Sequence, residues 1–410
     1  MKYHYKSTQH KAIFLSIASF VLFVLYSFHM YMKHQTGVVA LSYFVASGMS
    51  LTSATSSGAW IGALLVTLLC IIPALILSRL LYFPLRFKAL ALLPSYIILG
   101  LITGISPENI NSTENSIPLF SSMALLLLSV LLVFLSQVYH EDRAEHAPIC
   151  NYLTPNVFIS CIGMLFCMFL TNTDRQLHVQ LDLANGIHQN DHSVVDRLPH
   201  GETTTNNTIT SLQVLSLSKR GQLADNLFSL PHLKGSNSLL PDKVPASAVY
   251  HTPTLVYGHL QAVPVGEFRS ATSFLEKALS RRMVLLSDTS ATQADSLRVR
   301  PLIDYYLCAL LLDRDIPRFS DEVFKYYNVD ETLPKHYREA LILYNSQDSL
   351  ATRIYEDLPM DSVFLNYAEL QAKHKGNVPV QRKACVRAYP HSYWNYYFYG
   401  YNNLDYQPHN

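Results

Sequence analysis

Seventeen histidines give this chain the material for a metal site. His188 and His192 stand four apart, with Asp191 between them and His178 upstream. On a helix, i and i+4 imidazoles face one ion. The surrounding stretch, 185–210, is polar and rich in Asn, Asp and Thr, which reads as a loop. It also lacks the H-E-x-x-H pattern of helical zinc sites. No metal or other cofactor is expected. Six cysteines are present, none in a C-x-x-C. Cys308 and Cys385 are the two in the C-terminal half. They either pair, if that half lies in an oxidising compartment, or serve as small buried apolar side chains. Glu108 and Glu114 could act as base or metal ligand for a membrane-embedded transferase. Six apart around Asn-Ser-Thr, they read more simply as a solvated turn. The longer loop 34–59 holds no acid, which weighs against a polytopic glycosyltransferase. G-x-x-x-x-G-K-[ST], G-x-G-x-x-G and G-x-S-x-G are all absent, so phosphate-loop and serine-elbow chemistry have no motif.

Aromatic residues offer recognition rather than catalysis. Tyr305, Tyr306, Tyr337 and Tyr367 recur in the C-terminal half, and residues 389–401 read YPHSYWNYYFYGY, with Tyr393 and Trp394 inside. Tyr and Trp give large contact area with a polar handle. These six are the candidate partner-binding residues. The aromatic ending could stack a sugar, sit at a membrane interface or bind a peptide. Alternatively it is a terminal helix packed on its neighbours, capping an array.

The elements that must position these residues divide the chain. Of 410 residues, 49% are hydrophobic and only 15% are Asp, Glu, Lys or Arg, against roughly a quarter charged in soluble domains. The apolar residues concentrate before position 172, which excludes a purely soluble or a disordered chain. Thirty-one basic residues balance thirty acidic ones, leaving no footprint for nucleic acid. Five stretches approach the span requirement of about 20 apolar residues: 12–32, 60–78, 89–105, 119–138 and 152–171. The first is too long for a signal h-region and has no A-x-A site after it, so it is read as an anchor. No charge sits near the middle of any span, which argues against a proton-coupled pump. His29 lies near the end of the first span and reads as interfacial. The pairs Gly58/Gly62 and Gly100/Gly104 suit close helix packing within the bundle. Residues 37–58 are mildly apolar but rich in Ser and Thr, and read as a periplasmic or re-entrant segment lying against the bundle. Lys2, Lys6 and Lys11 precede the first span, and Arg79, Arg86 and Lys88 separate the second from the third. The positive-inside rule then puts the N-terminus in the cytoplasm and everything after Thr171 outside it.

After Asn172 the pattern becomes helical with short breaks. Segments of about 211–218 and 222–229, 302–312 and 317–327, 334–344 and 349–358, and 362–375 predict antiparallel neighbours. Tyr306-Leu-Cys-Ala309-Leu-Leu-Leu312 matches Tyr337-Arg-Glu-Ala340-Leu-Ile-Leu343 at an offset of 31, and Tyr367-Ala-Glu-Leu370 follows 30 later. Tyr257-Gly-His-Leu260 is a more distant copy. A period near 30–34 with a small residue one turn after a Tyr is the manner of tetratricopeptide (TPR) helix pairs. The expected fold is all-α. A transmembrane helix bundle fills 1–171, an irregular, partly helical connecting region 172–260, and a TPR-like repeat domain 261–410.

The stretches LSLSKRGQLADNLFSL from Leu215, Leu239-Leu240-Pro241, LPKHYREALILYN from Leu333 and SYWNYYF from Ser392 resemble a family of integral membrane proteins of Bacteroidota. That family joins an N-terminal helical membrane region to a C-terminal TPR-like region. The resemblance implies a bacterial inner membrane and transfers no catalytic residue. The leading expectation is a membrane-anchored scaffold, in contact with lipid, whose periplasmic TPR-like domain binds a protein. The alternatives are an envelope enzyme acting on lipid-linked or carbohydrate substrates, and a transporter accessory subunit.

Overall fold

The structure is a computed structural model that describes residues 2–34, 56–81, 83–104, 149–188, 207–230, 233–241, 252–262, 269–288, 293–328, 333–347 and 354–400. Among them every regular element is a helix. They form two compact units, one ending at Leu181 and the other starting at Asp182, so the division falls within a helix, Arg175–His188.

The first unit contains α1 (Lys2–His34), α2 (Ser56–Leu80), a 3-10 stretch (Leu85–Leu92) running into α3 (Leu93–Thr103), and α4 (Cys150–Leu170). Four segments are long and apolar enough to cross a membrane: His10–Met30, Ala63–Leu80, Leu85–Thr103 and Cys150–Leu170. The third begins at Leu85 rather than at 89, because the 3-10 turns carry the chain directly into α3. The expected span 119–138 and the segment 37–55 lie outside the described residues, and from Ser56 the chain is helical.

Sequence dictates how these helices meet. Phe23, Cys70, Ala74, Tyr96, Leu99 and Cys167 form one buried cluster, contributed by all four. Tyr96 meets Phe23 edge-on at 4.8 Å. It can do so because residue 163 is Gly; a Cβ there would stand 2.5 Å from the Tyr96 ring. Gly100 and Gly104 likewise admit Leu170, so this pair packs within the bundle. Polar side chains act as bolts. Ser27 and Thr67 share a hydrogen bond of 3.1 Å between α1 and α2. Asn156 on α4 receives Ala89 N–H at 2.7 Å and donates to Leu85 O at 2.8 Å. It thus helps satisfy the 3-10 backbone, whose polar groups need partners away from water. The outward faces are apolar, with Ile13, Ile17, Leu64, Leu68, Phe158 and Phe169 exposed, as lipid contact requires.

The helix α5 (Arg175–His188) leads into the second unit. There α6 (Asn207–Lys219), α7 (Leu223–Asn226) and α8 (Thr252–Leu260) precede α9 (Ala271–Asp288), α10 (Gln293–Leu312), α11 (Ile316–Tyr326), α12 (Lys335–Gln347), α13 (Leu358–Lys373), α14 (Val378–Ala388) and α15 (Tyr393–Tyr399). From α9 onward each helix packs on the next, and α15 returns to α12. Helix α6 is buried along Thr208–Ser218, with α8 and α10 against it.

Three helix starts share one local signal. Asp315, Asp357 and Asn377 each accept the N–H three residues on, and a Pro stands two after each cap. Proline costs nothing at a position whose N–H has no helical partner, and the cap satisfies a free donor. This signal corrects the expected helix at 349–358. Its described part, Ile354–Asp357, is not helical, because Asp357 and Pro359 instead start α13. The middle tyrosine repeat therefore lacks its second helix among the described residues. Helix α13 ends before Gly376, whose φ of +101° suits glycine best.

Candidate functional site

The candidate partner-binding aromatics are interior residues. Tyr305, Tyr306, Tyr337, Tyr367, Tyr393 and Trp394 are all buried, so none offers its ring to a partner. Four of them, Tyr337, Tyr367, Tyr393 and Trp394, bond across from one helix to another. On α10, Asp304 accepts hydrogen bonds from the hydroxyls of Tyr327 and, at 3.1 Å, Tyr337. One turn earlier Arg300 lays its guanidinium over the Tyr327 ring, 3.6 Å from its centroid. Cys308 Sγ stands 3.8 Å from Tyr337 Oη. Burial raises the Asp304 carboxyl above the usual carboxylate range, against the lowering effect of both hydroxyls and Arg300. This network fastens α10, the end of α11 and α12 together.

A second buried network holds the C-terminal helix. Glu339 on α12 accepts Tyr393 N–H at 2.8 Å and pairs with His336 Nδ1 at 2.8 Å. Its carbonyl accepts Trp394 Nε1–H at 2.9 Å. Tyr396 donates to Leu312 O at 2.7 Å, and Tyr367 to Asn395 Oδ1 at 3.2 Å. Trp394 lies against Phe364, Tyr367 and Tyr389. The aromatic ending is thus a packed terminal helix with Tyr393, Trp394 and Tyr396 inside. Those three rings are closed to a sugar.

Cys308 and Cys385 are free and buried. Burial pushes both thiols up, away from the reactive thiolate. His178 on α5 bonds to Asn172 O at 3.0 Å, and His188 ends the same helix. Asp191 and His192 lie outside the described residues, as do Glu108 and Glu114. Among the described residues no three His, Cys, Asp or Glu side chains gather as a metal would require.

One pair with chemical potential escaped the sequence reading. Ser218 Oγ lies 2.9 Å from His259 Nε2. Burial, helped by the neighbouring Lys219 charge, pushes the imidazole down to about 4, so it is neutral at pH 7. A neutral imidazole on a hydroxyl is the first half of a nucleophile–base arrangement. Among the described residues no carboxylate bonds to His259 to orient it, and Ser218 is buried. The pair therefore reads as a clasp between α6 and α8. Its partners lie 41 apart in sequence, with no periodicity to join them.

One exposed apolar surface of the second unit is the outer side of α13. Leu358, Leu365 and Ala372 recur every seventh residue on the side away from buried Tyr367, and all three are exposed. Leu358 is 78% exposed and Leu365 64%.

Residues 297–400 match the model of a family of unknown function, DUF6057. The matched stretch runs from within α10 to the end of α15. It therefore takes in both buried networks and the exposed α13 face. No curated protein matches the chain, and no solved structure does.

Proposed function

We propose that this protein is a membrane-anchored scaffold whose C-terminal helical unit binds a partner protein through the outward face of α13. The observation that carries this reading is the seven-residue apolar seam Leu358–Leu365–Ala372, exposed on a helix whose opposite side is packed. Seven-residue spacing presents these side chains as one stripe along the helix, flanked by Ser362 and Glu369, as at an interface with an apolar centre and a polar rim. Asp304, Glu339 and the hydroxyls of Tyr337, Tyr367 and Tyr396 are engaged in helix–helix links, which fits a binding body better than a reaction centre. Successive helices packed in chain order support a TPR-like array, with the offset of 31 between Tyr306 and Tyr337 as its sequence trace. Four apolar helices support the anchor. Lys2, Lys6 and Lys11 before the first, and Arg79 after the second, support a cytoplasmic N-terminus. With 119–138 as a further span, the C-terminal unit is periplasmic, on a bacterial inner membrane.

The test is chemical cross-linking of the tagged full-length protein in native membranes, followed by mass spectrometry. One reproducible protein is expected, lost in the variant Leu358→Asp/Leu365→Asp. Both side chains are exposed, so the variant should melt like the parent. Capture unchanged by these substitutions would remove α13 as the interface.

A further inference from the structure

The hairpin joining α13 to α14 carries charge of one sign around an exposed apolar tip. From Leu370 to Leu404 there is no Asp or Glu, yet this stretch holds Lys373, Lys375, Arg382, Lys383 and Arg387. On a chain whose net charge is only +1, this is a strong local concentration. The tip itself is Val378-Pro379-Val380. Val378 is 63% exposed and Val380 45%. Asn377 caps α14 at this point, so the valines are held on an ordered helix start. Val380, Lys383 and Arg387, at i, i+3 and i+7, share one exposed face of α14. Lys373 and Lys375 are exposed on the other arm. Among the described residues, none of Lys373, Lys375, Lys383 and Arg387 pairs with a carboxylate, although Glu369 stands one turn before Lys373.

We propose that the α13–α14 hairpin tip docks on an anionic lipid surface. Val378 and Val380 enter the headgroup region, and Lys373, Lys375, Lys383 and Arg387 pair with lipid phosphates. Aliphatic side chains ringed by cations match both layers of such a surface, since apolar area sinks below the phosphates while long basic side chains reach up to them. An acidic protein would satisfy the cations and leave the valines wet. Four helices are long and apolar enough to anchor the chain in a bilayer, and on that anchor docking is an intramolecular event with a high effective concentration. The inference rests on the membrane part of the proposed function and is independent of the α13 partner face.

The test uses the full-length protein reconstituted into vesicles. An environment-sensitive fluorophore is placed at Val378→Cys, with Cys150→Ser and Cys161→Ser removing the exposed thiols. Flotation first establishes that the protein is in the vesicles, so loss of anchoring is distinguishable from loss of docking. With phosphatidylglycerol mixed into phosphatidylcholine, a blue shift and brightening relative to phosphatidylcholine alone are expected. High salt should reverse the shift. Gln at positions 373, 375, 383 and 387 should abolish it without changing flotation or melting. Equal emission in both lipid compositions would overturn the proposal. So would a shift produced by polyglutamate but not by phosphatidylglycerol, which would reassign the patch to an acidic protein.

Discussion

A carboxylate inside a helical unit persists only if its oxygens are occupied. Asp304 meets that condition through Tyr327 and Tyr337, yet burial still raises its carboxyl. The charged form is therefore penalised in the folded state. Its contribution to stability is full below the ordinary carboxylate range and is lost as pH rises through the folded pKa. Asp304→Asn keeps an acceptor for the hydroxyls without the charge. It should be at least as stable as the parent at pH 7 and lose that advantage near pH ~3. Tyr337→Phe deletes a donor inside the same network and should cost about 1–2 kcal/mol. Thermal unfolding of the purified protein checks both. His259 runs the other way. Its folded value of about 4 lies below the free histidine value, so its contribution is full above roughly pH 6.5 and is lost as pH falls toward 4. The melting temperature of the parent should fall between pH 7 and pH 4.5, and that of His259→Gln should fall less. None of this was legible in the residues alone. Tyr337 and Tyr367 showed as a repeat, but whether a repeated tyrosine lines a groove or a core depends on helices brought together from distant sequence. Ser218 and His259 carry no joint signal at all.

At the scale of elements, the sequence was more informative where physics is local. Asp315, Asp357 and Asn377, each followed by Pro two residues on, mark three helix starts. Reading that pattern would have removed the helix expected at 349–358 and begun the next at Leu358. Four of the expected spans fall on helices long and apolar enough to cross a membrane, and they were legible because such a helix is apolar along about 20 residues, which composition alone marks. The 3-10 entry into α3 was hidden, since it depends on Asn156 far along the chain. Helix α15 shows a non-local bond of the same kind. It has few residues, and it is held by Glu339 and by the rings around Trp394. Trp394→Ala should cost about 3–5 kcal/mol by leaving a cavity between α12 and α13. Phe398→Ala, at a half-exposed position on the same helix whose ring stacks on Tyr367, should cost clearly less, about 1 kcal/mol. Denaturant melts of the two variants separate a packed cap from an aromatic surface.

Across the whole molecule, two kinds of burial divide the labour. The first unit turns apolar faces outward and spends its few polar side chains on helix contacts, as Ser27, Thr67 and Asn156 do. The second unit buries Tyr305, Tyr306, Tyr337, Tyr367, Tyr393 and Tyr396, and its α13–α14 hairpin leaves two surfaces uncovered, the α13 seam and the basic tip. The all-helical class and the shift of character near Asn172 could be read from periodicity and composition. The exposed seam could not, because Leu358 and Leu365 look like core residues until Tyr367 is seen facing inward. The central claim is that this seam holds a protein. The most direct measurement places a photo-reactive amino acid at position 365, and separately at position 378, in the full-length protein in native membranes. One protein adduct at 365, absent at 378 and lost on adding Leu358→Asp, is the predicted result. Lipid adducts alone at 365, or none, from a chain that still melts normally, would contradict the account.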